Sequence, residues 1–316
     1  MDSVDRGILH ALRIDGRVPF RAVGEVLGIS ENTVARRYRR LRAEYGMRVV
    51  GAVDGSRLGH AQWTIRLRCT PDAAESVANA LAARDDTHFV YLLSGGTEVS
   101  CTVQTRNTDD QESLLLHKLP RTSRIVAMSA HLILGGFKVP DQWQAPDVLT
   151  PDQIDRLRPE LGETATTPTH LDDGERALLT ALSRDGRGSY AELATATGWS
   201  EVTVRRRMDI LRRSGILHFR LDIPAAAFGF GTEARLWIGA QPSAVAAVGA
   251  ELARHPEVAF VGLTTGPTNL VAAVNCRDAV DLGRYLTERI AGVSGVATLE
   301  SAPIIRTVKR VGALLV

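Results

Sequence analysis

Residues 28–42 have the sequence GISENTVARRYRRLR, and 170 positions later residues 198–212 have the sequence GWSEVTVRRRMDILR. The similarity extends on both sides of these stretches. Residues 11–44 and 181–214 align without a gap and are identical at 14 of 34 positions. A repeat of this length indicates that the chain contains two copies of one structural unit.

Each of these stretches is predicted to be the last of three short helices. Apolar residues recur at helical spacing in residues 4–13 and 173–183, and a second helix is expected before Gly28 and Gly198. The serine two positions after each glycine suits the N-cap of the third helix, because its hydroxyl can accept a backbone N–H. Three helices with a glycine turn before the last are typical of a helix-turn-helix.

The third helix combines a predicted buried stripe with a basic face. Val34, Tyr38 and Leu41 lie at i, i+4 and i+7, and the second copy repeats this spacing. The remaining surface is rich in arginine, whose planar guanidinium matches phosphates and guanine edges. A solvated basic face is the alternative for one isolated helix. Arginines at the same offset in both copies, after the same turn, favour DNA binding.

The predicted DNA-binding residues lie on the two third helices. They are Ser30, Glu31, Asn32, Thr33, Arg36, Arg37, Arg40, Ser200, Glu201, Val202, Thr203, Arg205, Arg206 and Arg207. Base contacts are assigned to Glu31, Asn32 and Arg36 with Glu201, Val202 and Arg206, and phosphate contacts to Thr33, Arg37 and Arg40 with Thr203 and Arg207. Because Asn32 corresponds to Val202, we predict that the two modules prefer different half-sites.

The second part of each copy alternates predicted strands and helices in the order βαββαβ, which is the ferredoxin-like arrangement. A segment rich in Pro, Thr and acidic residues separates the copies, and a short helix is expected at 151–158 after Thr150. The predicted domains are, in order, helix-turn-helix 1 at 1–50, ferredoxin-like 1 at 60–137, the linker at 138–170, helix-turn-helix 2 at 171–218 and ferredoxin-like 2 at 230–310.

Composition and charge exclude some classes of function. A net charge of +2 over 316 residues excludes a uniformly basic nucleic-acid coat, so any DNA-binding surface must be local. No apolar run approaches the about 18 residues of a membrane span, and the N-terminal MDSVDRG is acidic where a secretory signal is basic. We therefore expect a cytoplasmic protein without a membrane partner.

The sequence contains little that indicates an enzyme or a metal-binding protein. Cys69, Cys101 and Cys276 are odd in number and lie in apolar segments, so they are predicted to be buried thiols. The eight histidines lack a metal-ligand spacing, and no P-loop, GxSxG or dinucleotide motif occurs. We predict no catalytic residue, no metal site and no cofactor.

The order of helix-turn-helix and βαββαβ resembles the leucine-responsive/asparagine-responsive (Lrp/AsnC) family of bacterial and archaeal transcriptional regulators. The resemblance also rests on LxxDGR at 12–17 and 182–187 and on SGVATLESAPIIRTVKR at 294–310. It implies an α+β chain with two repeats, each a winged helix-turn-helix followed by a ferredoxin-like domain. It also implies a sequence-specific regulator that binds double-stranded DNA, in a bacterium and associated with the nucleoid when DNA-bound.

Family members usually carry one unit per chain and pair through the ferredoxin-like domain. Two fused units therefore imply an intramolecular pseudo-dimer, and whole chains are expected to form a homo-oligomer. The resemblance further implies an amino acid or other small-metabolite effector at the interface between the ferredoxin-like domains. The loops expected there comprise Ser94, Gly95, Gly96, Thr97 and Glu98 in the first copy and Thr264, Thr265, Gly266, Thr268 and Asn269 in the second.

Two other functions are compatible with this architecture. Sirohaem decarboxylases resemble the same family, and some of them are tandem fusions; the arginine-rich helices of both copies argue against this reading. The other alternative is a metabolite sensor that does not bind DNA.

Overall fold

The computed structural model describes residues 1–106, 115, 124–138, 148–159, 161–162, 170–310 and 313–314. It divides into two units, each of which combines the corresponding parts of the two copies. The first unit contains Met1–Gly59 and Ala145–Ala227, and the second contains His60–Gln144 and Phe228–Val316.

The described elements alternate as the sequence predicts. The helices are α1 (Ser3–Ile14), α2 (Phe20–Leu27), α3 (Glu31–Tyr45), α4 (Ala74–Ala82), α5 (Pro151–Leu157), α6 (Asp173–Arg184), α7 (Tyr190–Thr197), α8 (Glu201–Arg213), α9 (Val245–Arg254) and α10 (Ala279–Arg284). The strands are β1 (Arg48–Val53), β2 (Ala61–Cys69), β3 (Thr87–Leu93), β4 (Glu98–Thr105), β5 (Ile125–Lys138), β6 (Leu217–Asp222), β7 (Thr232–Ala240), β8 (Val258–Thr264), β9 (Leu270–Cys276), β10 (Val296–Arg310) and β11 (Ala313–Leu314).

The first unit holds two three-helix modules, α1–α3 and α6–α8. Each first helix begins with a reciprocal capping box, formed by Asp2 with Asp5 in one module and Asp172 with Glu175 in the other. Each second helix ends at a left-handed glycine, which frees the chain to turn into the third helix. The predicted stripes are buried in both third helices, so the helix-turn-helix prediction is confirmed.

The two modules are joined by an antiparallel pair of strands, one from each copy. Strand β1 pairs with β6 along its whole length, from Arg48 opposite Asp222 to Val53 opposite Leu217. Strand β1 also packs closely on α6 of the other copy, since a Cβ on Gly51 would lie 2.8 Å from the Cβ of Leu182. Each copy therefore contributes one strand to the junction, and the two modules form one pseudo-symmetric unit.

Two arginines stabilise this junction with reciprocal hydrogen bonds. Nη1 of Arg17 donates to the carbonyls of Gly186 and Gly188 at 2.7 and 3.1 Å. Nη1 of Arg187 donates to the carbonyls of Gly16 and Val18 at the same two distances. Burial lowers the pKa of both guanidinium groups. One nitrogen of each, Nη1, is satisfied by the backbone of the opposite copy.

The predicted helix between the copies is present as α5, with Thr150 as its N-cap and Pro151 in its first turn. It packs on the first helix-turn-helix module and is not a free spacer. The backbone N–H of Leu149 donates to Nδ1 of His10 at 3.2 Å, and Nε2 of Gln153 donates to the carbonyl of Val26 at 2.9 Å. Leu149 and Leu157 are buried there, which anchors this part of the predicted linker.

The second unit contains both βαββαβ copies, which share one sheet. Its strands are hydrogen-bonded in the order β11-β10-β3-β4-β2-β5-β8-β9-β7, and β10 also pairs with β7. The long strands β5 and β10 each reach from their own copy into the other, where they pair with β8 and β3. The sheet therefore closes on itself. The predicted fold class is confirmed, and the two copies are joined at their strand edges by the pairs β3–β10 and β5–β8.

Helices cover the outer side of this sheet. Alternate residues of β2 and β7, such as Ile65 and Leu236, belong to the two outer cores. The three cysteines are free and buried, as predicted. The second helix of the first βαββαβ copy is expected near 108–118, where the structure describes only residue 115. The corresponding α10 of the second copy is present and continues as a π-helical turn over Tyr285–Ile290.

The close approach at Gly51 can be tested by adding one methyl group. Gly51→Ala should lower the free energy of unfolding by about 1–3 kcal/mol, because the methyl group would overlap Leu182 at the junction of the copies. Gly283→Ala is the control: its Cβ would meet open space on α10, and alanine favours helix by about 0.5–1 kcal/mol. Calorimetry of the full chain would measure both changes. An unchanged transition in Gly51→Ala would contradict the described packing.

Candidate nucleic-acid interface

The third helices α3 and α8 begin in the same way. The hydroxyl of Ser30 accepts the backbone N–H of Thr33 at 3.2 Å and lies 2.9 Å from the Thr33 hydroxyl. Ser200 and Thr203 repeat both contacts. These four predicted DNA-binding residues therefore cap their own helices, and their proposed phosphate or base contacts stay predictions.

The arginines predicted to bind DNA fall into two groups, one engaged by carboxylates and one not. Arg37 donates to Asp2 at 2.6 Å and to Asp5 at 2.9 Å, and Arg40 donates to Asp5 at 2.5 Å. In the second copy, Arg207 lies 3.2 Å from Glu175 and 3.7 Å from Asp172.

These carboxylates are the capping-box residues of the first helices. One pair of acidic residues thus caps the first helix and holds the third helix against it. The hydrogen bond from Arg37 lowers the pKa of Asp2 to about 2 and raises the pKa of Arg37 itself. Phosphate contacts by Arg37, Arg40 and Arg207 stay predictions, and in the structure these side chains are engaged by carboxylates.

Arg36 and Arg206 form the second group. Both are exposed, and neither has an ion-pair partner among the residues that the structure describes. They occupy equivalent positions, one turn beyond the N-terminal residues of α3 and α8. Arg205 is also exposed, and its guanidinium lies 4.7 Å from the centre of the Tyr190 ring. These side chains can donate to an external acceptor without breaking an ion pair with the described residues.

The residues at the helix N-termini are equally accessible. Glu31 and Asn32 are exposed on α3, and Glu201 and Val202 are exposed on α8. Val202 retains 79% of its accessible surface, which is a high exposure for an apolar side chain. The two helices therefore present the same arginine beside different neighbours.

The predicted effector loops lie at two different junctions of the closed sheet. The first loop follows β3, which pairs with β10, and contains left-handed Ser94, Gly95 and Gly96. Glu98, at its end, is buried and lies 2.7 Å from Arg66. Thr97 donates from its hydroxyl to the carbonyl of Ser94. The side chains of Thr97 and Glu98 are thus engaged in local contacts, and effector contacts by this loop stay predictions.

The second loop follows β8 and contacts β5 of the first copy. The backbone N–H of Leu132 donates to the Thr265 hydroxyl at 3.0 Å, and a Cβ on Gly266 would meet the ring of His131. The side-chain amide of Asn269 exchanges hydrogen bonds with the backbone of Ala240 at 2.8 and 2.9 Å. The hydroxyl of Thr264 donates to the carbonyl of Thr268. Effector contacts by these residues stay predictions.

Sequence reasoning missed the residues that join the modules. Arg17 and Arg187 belong to the DGR motifs of both copies, yet their partners lie 169 to 171 positions away. The contact between the third helix and the first helix did leave a signal in the sequence. An acidic residue stands 32 positions before Arg37, and another stands 32 positions before Arg207. Within the described residues no His, Cys, Asp and Glu group is arranged to hold a metal, and no helix is long and apolar enough to cross a membrane.

Comparison with known proteins identifies the architecture. The AsnC-type helix-turn-helix domain matches residues 1–42 and 171–212, and the Lrp/AsnC ligand binding domain matches residues 233–314. An HTH-type transcriptional regulator of Pyrococcus abyssi is 36% identical over 143 residues, which cover 45% of this chain and 90% of the relative. The regulator FL11 of Pyrococcus horikoshii is 26% identical over 140 residues, covering 44% and 92%.

These features define a helix-turn-helix transcriptional regulator with a ferredoxin-like ligand-binding domain. The chain belongs to the Lrp/AsnC family and carries its unit in tandem. The crystal structure of the siroheme decarboxylase NirDL is similar in fold, with a TM-score of 0.63 over 98% of this chain and 93% of that chain. Its sequence identity is 15%, so this similarity concerns the fold alone.

The division between engaged and available arginines can be tested with adjacent residues of α8. Arg207→Ala should lower the free energy of unfolding by about 1–3 kcal/mol, because it leaves the buried Glu175 without its cation. Arg206→Ala should change stability by less than about 0.5 kcal/mol, as expected for an exposed side chain. Binding to a selected DNA site should instead weaken by about 1–3 kcal/mol.

Thermal unfolding and fluorescence anisotropy on the same preparations would separate the two effects. A stability loss in Arg206→Ala equal to that in Arg207→Ala would contradict the division.

Proposed function

We propose that this regulator binds one asymmetric two-part DNA site with both of its third helices, as an intramolecular pseudo-dimer. The observation that carries the proposal is the repeated placement of an exposed, unengaged arginine, Arg36 on α3 and Arg206 on α8. The β1–β6 pair and the reciprocal arginines hold the modules as one unit. A fixed pair of recognition helices suits half-sites at a set spacing.

In this mechanism the third helices enter successive major grooves. Arg36 and Arg206 donate to guanine edges or adjacent phosphates, and the helix N-termini contribute the remaining base contacts. Asn32 can pair with adenine, whereas Val202 can make only an apolar contact, for example with a thymine methyl group. The two half-sites should therefore differ at the base pair that faces this position.

Selection from a random duplex library would test this asymmetry. Wild-type protein should enrich a two-part site whose halves differ, and Val202→Asn should make the selected halves more alike. Val202 is exposed, so this substitution should leave the fold intact. A symmetric site selected by the wild type would contradict the assignment of Asn32 and Val202 to base reading.

We also infer that an amino acid or other small metabolite modulates DNA binding through the loops at residues 94–98 and 264–269. Support comes from the match of residues 233–314, which include the second loop, to the Lrp/AsnC ligand binding domain. It also comes from the left-handed glycines of both loops and from the position of each loop at a junction between the copies. A ligand that altered these junctions would bias the DNA-competent arrangement by its differential affinity. A DNA-binding role also places the chain in the compartment that holds the genome.

The effector proposal predicts a loop-dependent change in DNA affinity. Titration of single amino acids into the complex with a selected DNA site should identify at least one that shifts the dissociation constant by about 5-fold or more. Thr265→Val, which removes the acceptor for Leu132, should reduce that shift and leave ligand-free DNA affinity unchanged. An identical shift in the variant would contradict a role for the second loop.

The enzyme alternative receives its support from the fold similarity to siroheme decarboxylase. We infer a non-enzymatic regulator, because both third helices keep their exposed arginines. Incubation of the chain with siroheme, followed by chromatography of the tetrapyrrole, should recover it unchanged. Decarboxylated product together with absence of DNA enrichment would favour the enzyme.

A further inference from the structure

The inner face of the closed sheet contains a half-buried arginine, Arg66, and a buried one, Arg235, with different surroundings. Strand β7 places Leu236 against the helices, so Arg235 and Trp237 point to the other face. Trp237 there packs with Leu93 of the first copy and Ala302 of the second. This face is therefore an interior lined by both copies.

Arg66 is the arginine that is fully accommodated in this interior. Its guanidinium lies 2.7 Å from Glu98 and 2.8 Å from Glu300, and 4.0 Å from the centre of the Trp237 ring. The two carboxylates and the aromatic face replace the water that Arg66 loses on folding.

Arg235 has no such partners. It retains 4% of its accessible surface, and it makes no hydrogen bond or ion pair with the described residues. Its Nε is buried without an acceptor. The groups around it are the rings of Tyr91 and Phe260, whose centres lie 5.7 and 5.9 Å from the guanidinium carbon. A buried cation is normally paired, so this arrangement is incomplete as it stands.

Small side chains flank Arg235 on both neighbouring strands. Both of its cross-strand neighbours are alanines, Ala273 on β9 and Ala302 on β10. Ala273 is partly exposed although it lies on the inner face, and Tyr91 and Phe260 are partly exposed as well. Three partly exposed residues thus lie close to the buried guanidinium.

We propose that this interior is a binding site for a small carboxylate, anchored by Arg235 and enclosed by Tyr91 and Phe260. A carboxylate can accept two parallel hydrogen bonds from a guanidinium. The aromatic rings and the alanines favour a short apolar tail. Glu98 and Glu300 already engage Arg66, so neither is free to pair with an ammonium group. The site thus selects simple carboxylates over amino acids.

This proposal rests on neither DNA binding nor the effector loops.

Isobutyrate, 2-aminoisobutyrate and isobutyramide are matched probes that differ only in the ammonium group or in the charge of the carboxylate. Saturation-transfer NMR with the full chain should detect isobutyrate binding, and the other two compounds should bind at least about 10-fold more weakly. Arg235→Met should lose isobutyrate binding, whereas Arg284→Met, which removes an exposed arginine of the same unit, should retain it.

Absence of isobutyrate binding to the wild type, or equal binding by Arg235→Met, would overturn the proposal. Should Arg235→Met fail to fold, crystals of the wild-type chain soaked in 3-bromopropanoate decide the question. The anomalous bromine signal should lie beside Arg235, Tyr91 and Phe260, and the matched 3-bromopropanamide soak should show none. A bromine signal only at other positions, or none, would overturn the assignment.

Discussion

The DNA-binding architecture depends on one constraint: the strand pairing and the reciprocal arginine hydrogen bonds that join the two modules of the first unit. Strand β1 pairs with β6 over its whole length, and Arg17 and Arg187 each donate to backbone carbonyls of the opposite module. Charged donors to buried carbonyls contribute more than neutral ones, at about 1.5–3 kcal/mol each. The two helix-turn-helix modules are therefore one folding unit, with the symmetry of a dimer inside a single chain.

This internal dimer explains why the chain can differ between its halves. In a homodimer both recognition helices have the same sequence, whereas here Asn32 and Val202 occupy equivalent positions with different chemistry. The capping boxes and the arginines that hold α3 and α8 are kept in both copies. The scaffold is thus preserved, while residues that face outward have diverged.

Much of this architecture could be predicted from the sequence, because it follows from local patterns that occur twice. The third helices, their serine caps, the βαββαβ order and the short helix after Thr150 all depend on spacing along the chain. The division of the arginines cannot be predicted from one helix, and its only sequence signal is the acidic residue that recurs 32 positions before Arg37 and Arg207. Arg36 and Arg37 are neighbours in sequence, and only the position of Asp5 on another helix makes one of them structural.

The closure of the sheet could not be predicted from the sequence pattern either. Pairing of β10 with both β3 and β7 is a long-range choice of register that alternation alone does not determine. The same holds for the interior it creates. Arg66 and Arg235 are both arginines on alternating strands, and only the strand order places two carboxylates beside one and aromatic rings beside the other.

Hydroxyl-radical footprinting on a selected DNA site tests the central claim most directly. The wild-type chain should protect two segments of one duplex, and Arg36→Ala and Arg206→Ala should each weaken protection of a different segment. That result would assign one module to each half-site. Loss of the same segment in both variants, or a single protected segment with the wild type, would contradict an intramolecular pair of DNA-binding modules.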